Sequence, residues 1–413
     1  VENRNFTSNI TNTVTTGAEG TAAKIGSNSN IVSDGNVTVS ASNSLHSETS
    51  VGSGVLGCLA LGAAVGVVNN NSEISSSVDN GANVSGANAF TVTSNSSSDI
   101  QGKAVAPAVG INAGAAASLD FNNNASVLTN IGNGVQVTAN AINFNSHVTG
   151  NMYAHATGVG IGISGVGLVV SLLDSNEDAT TNVGENINLN AENGTIVITA
   201  NSDITGKVKA EAGAGGVIDG AVTVTQVDLD NDTDVNLGST GTITAKQFTL
   251  KAEHDDVSSY ENISAGAGLA SGEGSDSRTT INSDVNVNVG SKDANPSDKL
   301  QITTSKLFDV DADNSSVIDW LEKDANGNVV SDAYNSLSAG AALVTGTGIV
   351  NRTNITHNTN VNLDDAVVKG NAELTQADRD AGKILADINA VTIDVHSNIV
   401  SKDYQYIGTG AAM

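Results

Sequence analysis

Along most of the chain apolar and polar residues alternate with a period of two. One version of that alternation returns at a near-constant spacing. Seven segments read aliphatic or Phe, any residue, aliphatic or Phe, any residue, then usually a small residue. They begin at Val37, Phe90, Ile142, Ile196, Phe248, Phe308 and Val391. The intervals are 53, 52, 54, 52, 60 and 83 residues. Period-two alternation rich in β-branched residues predicts strands rather than helices. A fixed period of this length is the signature of a repeat array. The last two intervals read as the same unit carrying insertions.

Each unit has two further parts. A Gly/Ala stripe follows the strand, at 51–68, 104–119, 157–170, 210–224, 264–274 and 338–350. A polar alternating run closed by a Gly or Asn turn comes next, as at 69–84, 122–137, 176–189 and 282–291. In the stripe at 157–170, Gly158, Gly160, Gly162 and Ser164 fall on one side of a strand and Val159, Ile161 and Ile163 on the other. Stacked copies are expected to place the aliphatics on one dry face. The Gly side would let another sheet approach closely. The same stacking sets Asn, Ser and Thr in ladders.

These patterns predict an all-β fold, a parallel β-helix (β-solenoid) of seven repeats of about 53 residues. It would run through 1–413 as a single continuous array with two insertions in the C-terminal third. One wide coil per repeat is favoured over two or three small ones. Direct repeats without hairpin alternation favour parallel stacking. The insertion at 315–334 reads as a loop with Trp320. That at 373–390 reads as a short helix capped by Thr375, with Asp378 completing a capping box.

Composition agrees. Forty-four glycines, two prolines and 3% aromatics suit a stacked sheet, where nearly every backbone N–H must pair. Seventeen basic against 44 acidic residues give a net charge of −27, which argues against nucleic acid and against anionic membranes as partners. The stripe at 51–68 is long enough to span a bilayer, but it is broken by Gly and recurs, so it reads as a repeat element. Cys58 has no partner for an internal disulfide and is expected to be a small buried residue. The chain starts at Val1 in a polar run without a leader and ends inside a stripe, as an internal stretch of a longer array would.

Candidate chemistry is sparse. Asp228, Asp230, Asp232 and Asp234 alternate along one strand, about 7 Å apart on its face. Such hard oxygen donors suit Ca²⁺ if neighbouring ladders contribute, and otherwise form a solvated acidic strand. Asp309, Asp311 and Asp313 repeat the pattern. Asp324, Asn326 and Asn328 weakly resemble a calcium loop. His46, His147, His254 and His396 follow the first strand of their units and read as polar strand-end positions rather than a metal ladder. Gly162, Ser164 and Gly165 only approach a nucleophile motif, so no residue is assigned a catalytic role and no cofactor other than possible Ca²⁺ is expected. Two other readings stand beside a structural one. The first is a glycan-active β-helix enzyme, which needs a groove gathering Arg/Lys with Asp/Glu. The second is an ice- or mineral-binding solenoid, for which Thr38, Thr91, Thr249 and Thr392 share a position that Asn143, Val197 and Asp309 interrupt.

The run from Ser264 through Leu269 and Ser271, followed by Asp284 to Val289 and Gly290, resembles the leukotoxin-type, haemagglutinin-like filamentous adhesins of Gram-negative anaerobic bacteria. The resemblance covers all seven units and is compositional and periodic. The insertions and phrases such as Ile218-Asp219 depart from it. It implies a stretch of a secreted cell-surface protein, exported through the outer membrane, whose β-helix forms a shaft. The function expected is therefore structural: cell attachment, aggregation or filament formation. The partners would be a host or bacterial surface receptor or glycan, or further copies of the chain.

Overall fold

The computed structural model describes residues 5–16, 20–290, 299–318, 335–371, 376–381, 383 and 390–410. It is a parallel β-solenoid. One turn of the chain can be followed from Gln136–Ile161, which bends at Gly162 and Ile163 and returns as Ser164–Val183. The chain then turns at 184–186 and re-enters as Ile187–Gly215. Gln136–Ile161 pairs in parallel with Asn83–Ile131 on one side and Ile187–Gly215 on the other. Ile142 thus lies between Phe90 and Ile196. The same register joins Val37 to Phe90, Ile196 to Phe248, Phe248 to Phe308 and Phe308 to Val391. The spacing seen in the sequence is therefore the hydrogen-bonded register of a wide coil. Gly, Asn and Asp make the turns: Gly81 and Gly134 adopt positive φ, as do Asn28, Asn186 and Asp365.

Two large apolar cores run along the axis, beside a small alanine cluster that includes Ala60 and Ala108. The wider includes Phe90, Phe144, Ile198, Leu250 and Phe308. Its aromatic rings touch between coils, Phe248 stacked on Phe308 at 5.2 Å and Phe90 edge-on to Phe144 at 6.0 Å. The second contains Ile100, Met152, Phe121 and Leu173. Between them along the strands lies an inward-facing polar row that includes Ser98, Asn123, Glu177, His254 and Asp256, all buried.

The polar runs stack as anticipated. Asn236 donates to Asn182, Asn288 to Asn236 and Asn362 to Asn288, each at 2.8–2.9 Å. Buried Asn70 likewise donates to Asn123. Such ladders let each amide satisfy its neighbour without leaving its strand.

The Gly stripes differ from expectation in one respect. The Gly side does face a closely approaching wall. A β-carbon at Gly165 would lie 2.6 Å from the Gly160 carbonyl oxygen, and one at Gly167 would lie 2.5 Å from that of Gly213. The aliphatic side is not dry, however. Val159 is half-buried, and Ile161 and Ile163 are exposed, Ile163 at 58%. At this narrow end the two walls leave no interior room for large side chains, so aliphatics can only point outwards. Cys58 sits at the same bend and is half-buried rather than buried.

Residues 315–318 end the strand Leu300–Ile318, so any insertion begins after them; Trp320 and Asp324, Asn326 and Asn328 lie outside the described residues. Within 373–390 the structure describes a five-residue helix, Gln376–Asp380; Thr375 lies outside the described residues. No helix among the described residues is long and apolar enough to cross a membrane.

Candidate functional site

The acidic run lies on the returning wall, in Ile218–Leu237. Strand alternation turns Asp228, Asp230, Asp232 and Asp234 outwards, with Asp230 and Asp232 exposed. Parallel register brings Asp228 beside Asp174 and Asp232 beside Asp284. The Asp232 backbone N–H donates to Asp178. Burial, followed by Asp178, Asp284, Asp234 and Asp230, pushes the Asp232 carboxyl up to about 6. Asp234 has a different partner, accepting from Asn286 at 2.9 Å. The four carboxylates thus belong to separate ladders.

Among the described residues, one set of three titratable side chains converges closely enough for one ion: Asp311, Asp313 and His396. The second acidic run supplies two of its members, and parallel pairing places His396 beside Asp313. Lys251 reaches the same carboxylates, 3.7 Å from Asp311 and 3.4 Å from Asp313. Burial and Asp313 raise Asp311 to about 6 despite that ammonium. The lysine already supplies counter-charge to the pair.

The histidines do not share one position. His147 and His396 occupy outward positions, and His147 lies 3.1 Å from Asp203. His46 contacts Asp99 at 2.9 Å. His254 is not at a strand end. It points inwards, fully buried, with Nε2 2.7 Å from Asp256 Oδ2. Burial opposes the imidazolium, but Asp256 outweighs it and raises the His254 pKa. Alternation around His254 and Asp256 could have found this pair, since both fall on the phase of Leu250 and Ala252.

Glu177, on the returning wall, faces the same row. Its Oε1 accepts from Asn123 and, at 3.3 Å, from Ser98. Asn231 links the two acids, accepting from the Glu177 backbone N–H and donating to Asp256. Burial and then Asp256 push the Glu177 carboxyl up to about 8, against the hydrogen bonds from Ser98 and Asn123.

The outer wall carries an open concavity of about 410 Å³ lined by Glu48, Ser50, Gln101, Lys103, Tyr153 and His155. The Tyr153 ring lies 6.2 Å from that of His155. His155 donates to Glu211 at 2.9 Å, and Lys209 bridges Glu211 and Glu261. The His155 hydrogen bond, aided by Lys209, lowers Glu211 to about 2. Gly162, Ser164 and Gly165 form a strand-to-strand bend, without the strand–turn–helix frame of a nucleophile elbow. Comparison with protein-family models, with curated proteins and with solved structures finds no match to this chain.

Proposed function

We propose that the chain is the structural shaft of a bacterial surface filamentous adhesin, exported to the cell exterior. It would consist of seven wide coils of about 53 residues with insertions in the last third. The observation that carries this reading is the uninterrupted parallel register from Val37 to Val391. A core shared by every coil, closed by backbone ladders, resists bending and tolerates elongation. The acidic exterior keeps such a rod soluble. Calcium on the Asp228–Asp234 ladders remains part of the proposal.

The partner fitted best is a further copy of the chain. At the narrow end Ile111, Ile163, Val217, Leu269 and Leu343 follow one another at successive bends, each more than 40% exposed. Leu56, Val109, Ile161, Ile218 and Val344 flank them. A half-exposed aliphatic offers roughly 50 Å², so the ridge would bury about 1,000 Å² between two copies, near the size of a specific interface. Charged residues in the bends are few, and Asp219 and Glu273 are buried rather than displayed there. Two copies of a −27 chain can meet here without opposing carboxylates. Both ridges share the strand spacing of about 4.8 Å, so their side chains interdigitate in register.

The glycan-active alternative has the Tyr153 concavity in its favour, since an exposed aromatic beside Gln101, Lys103 and His155 suits a sugar. Its one lining carboxylate is Glu48, whereas glycoside hydrolysis ordinarily uses two.

Small-angle X-ray scattering tests the shaft. A flat slab, about 65 Å long in the strand direction and thinned by about 4.8 Å along the coil axis when residues 196–247 are deleted, supports it. A compact sphere, or a deletion that unfolds the whole chain, refutes it. Display of the chain on non-adherent cells should produce aggregation; cells that stay dispersed and unattached would remove the adhesive part.

A further inference from the structure

Two carboxylates stand where the fold elsewhere admits almost no side chain. Asp219 and Glu273 point into the narrow end and are only 7% and 5% exposed. The interior row of Asp219 carries Ala113 and Gly165 in preceding coils. That of Glu273 carries Ala115, Gly167 and Ala221. Glycines on the facing wall make room for them. A β-carbon at Gly266 would lie 2.6 Å from Asp219 Oδ1 and 2.8 Å from Ser271 Oγ, and would also strike Glu273 Oε1. One at Gly340 would strike both Glu273 Oε2 and Thr345 Oγ1.

Hydrogen bonding leaves these acids incomplete. The Ser271 hydroxyl is 2.6 Å from Asp219 Oδ1 and also contacts Glu273 Oε1. It has one proton, so it can donate to only one of them. Asp219 Oδ2, Glu273 Oε2 and Thr345 Oγ1 are buried with no hydrogen-bond partner among the described residues. Two uncompensated buried carboxylates are strongly unfavourable unless paired or metal-bound.

We propose that Asp219, Ser271, Glu273 and Thr345, contributed by three successive coils, hold one hard divalent cation, calcium, inside the narrow end. The donor set is all oxygen, with no thiol or imidazole, which excludes the preferences of zinc and copper. Two carboxylates neutralise the ion's charge. The Gly216 carbonyl oxygen and Asp219 Oδ2 both lie within 2.5 Å of where a β-carbon at Gly268 would stand, so that carbonyl would be a further oxygen donor. Calcium accepts six to eight oxygens in irregular geometry, whereas magnesium demands an octahedron. The ion would fasten three coils where hydrophobic packing is thinnest. This rests on the stacked coil alone, so it stands or falls separately from the adhesive reading.

The test uses the full chain, stripped with EDTA and dialysed, titrated with CaCl₂ by calorimetry and melted with and without 1 mM Ca²⁺. The wild type is expected to bind calcium and to melt several degrees higher with it. Glu273→Gln should weaken that affinity at least tenfold, and Asp219→Asn/Glu273→Gln should abolish the shift. In EDTA the double variant should melt no lower than wild type, because the unpaired charges are gone. Asp34→Asn, an exposed carboxylate outside both acidic sites, should keep the full response. No binding by wild type would identify a proton-sharing acid pair and overturn the proposal. So would a response unchanged in Glu273→Gln, which also serves if the double variant does not fold. A slab-shaped scattering profile in either case leaves the shaft intact.

Discussion

The carboxylate of Glu177 lies across the α-carbon of Gly150, where a β-carbon would sit 2.5 Å from Oε1 and 2.8 Å from Oε2. The two residues come from opposite walls of one coil, so a buried acid on the returning strand dictates glycine on the outgoing one. Gly150→Ala should therefore destabilise the protein by about 1–3 kcal/mol, the usual range for overpacking. The substitution should cost much less in a Glu177→Ala background. Denaturant midpoints of the four species give the coupling. Additive losses would show that Gly150 is needed for its backbone alone.

The same carboxylate makes stability depend on pH. In the unfolded chain Glu177 titrates near 4.5; in the fold burial raises it to about 8. Below pH 4.5 both states hold the proton and there is no penalty. Between about 4.5 and 8 the unfolded state ionises while the folded state keeps its proton, so stability falls as pH rises. The penalty is complete above pH 8. Glu177→Gln should accordingly be near neutral at pH 4 and clearly more stable than wild type at pH 8.5. Parallel thermal midpoints across that range would contradict the assignment.

How much of this was legible in the sequence depends on the residue. The register was, because Val37, Phe90, Ile142 and their successors are large, inward and evenly spaced; each became the cross-coil partner of the next. The interrupted Thr38–Thr91–Asn143–Val197–Thr249 row is likewise a true ladder. The orientation of the stripes was not legible. Alternation separates Gly158 from Val159 but does not say which side is inside. The rule that aliphatics are buried gives the wrong answer where two walls come too close for side chains. Nor does it reveal buried acids: Asp219 looked like a break in a pattern, and Glu177 lay among outward-facing polar residues in the chain. Their roles depend on facing walls some tens of residues away.

The ridge at the bends makes a prediction about assembly. Ile163 and Val217 are neighbouring members, joined through the backbone hydrogen bond from Val217 to Ile163. Ile163→Lys/Val217→Lys places two charges in the proposed contact without touching either core. Wild type should show concentration-dependent association by sedimentation, and the variant should be monomeric with an unchanged melting midpoint. A wild type that stays monomeric at high concentration would remove the second copy as the ridge's occupant.

The stack of Phe248 on Phe308 tests whether the coils share stability. Both rings are fully buried and touch face to face at 5.2 Å. Truncating either to alanine empties a site in the wide core and should cost about 3–5 kcal/mol. The pair adds roughly 0.5–1.5 kcal/mol beyond burial, so the double variant should fall short of the summed losses by about that much. In a chain whose units contact only their neighbours, the effect should also be local. Hydrogen exchange in Phe248→Ala should accelerate in the coils on either side of the site, while amides of the coil containing Phe90 keep their protection. Uniform loss of protection from end to end would mean that the array unfolds as one globular unit.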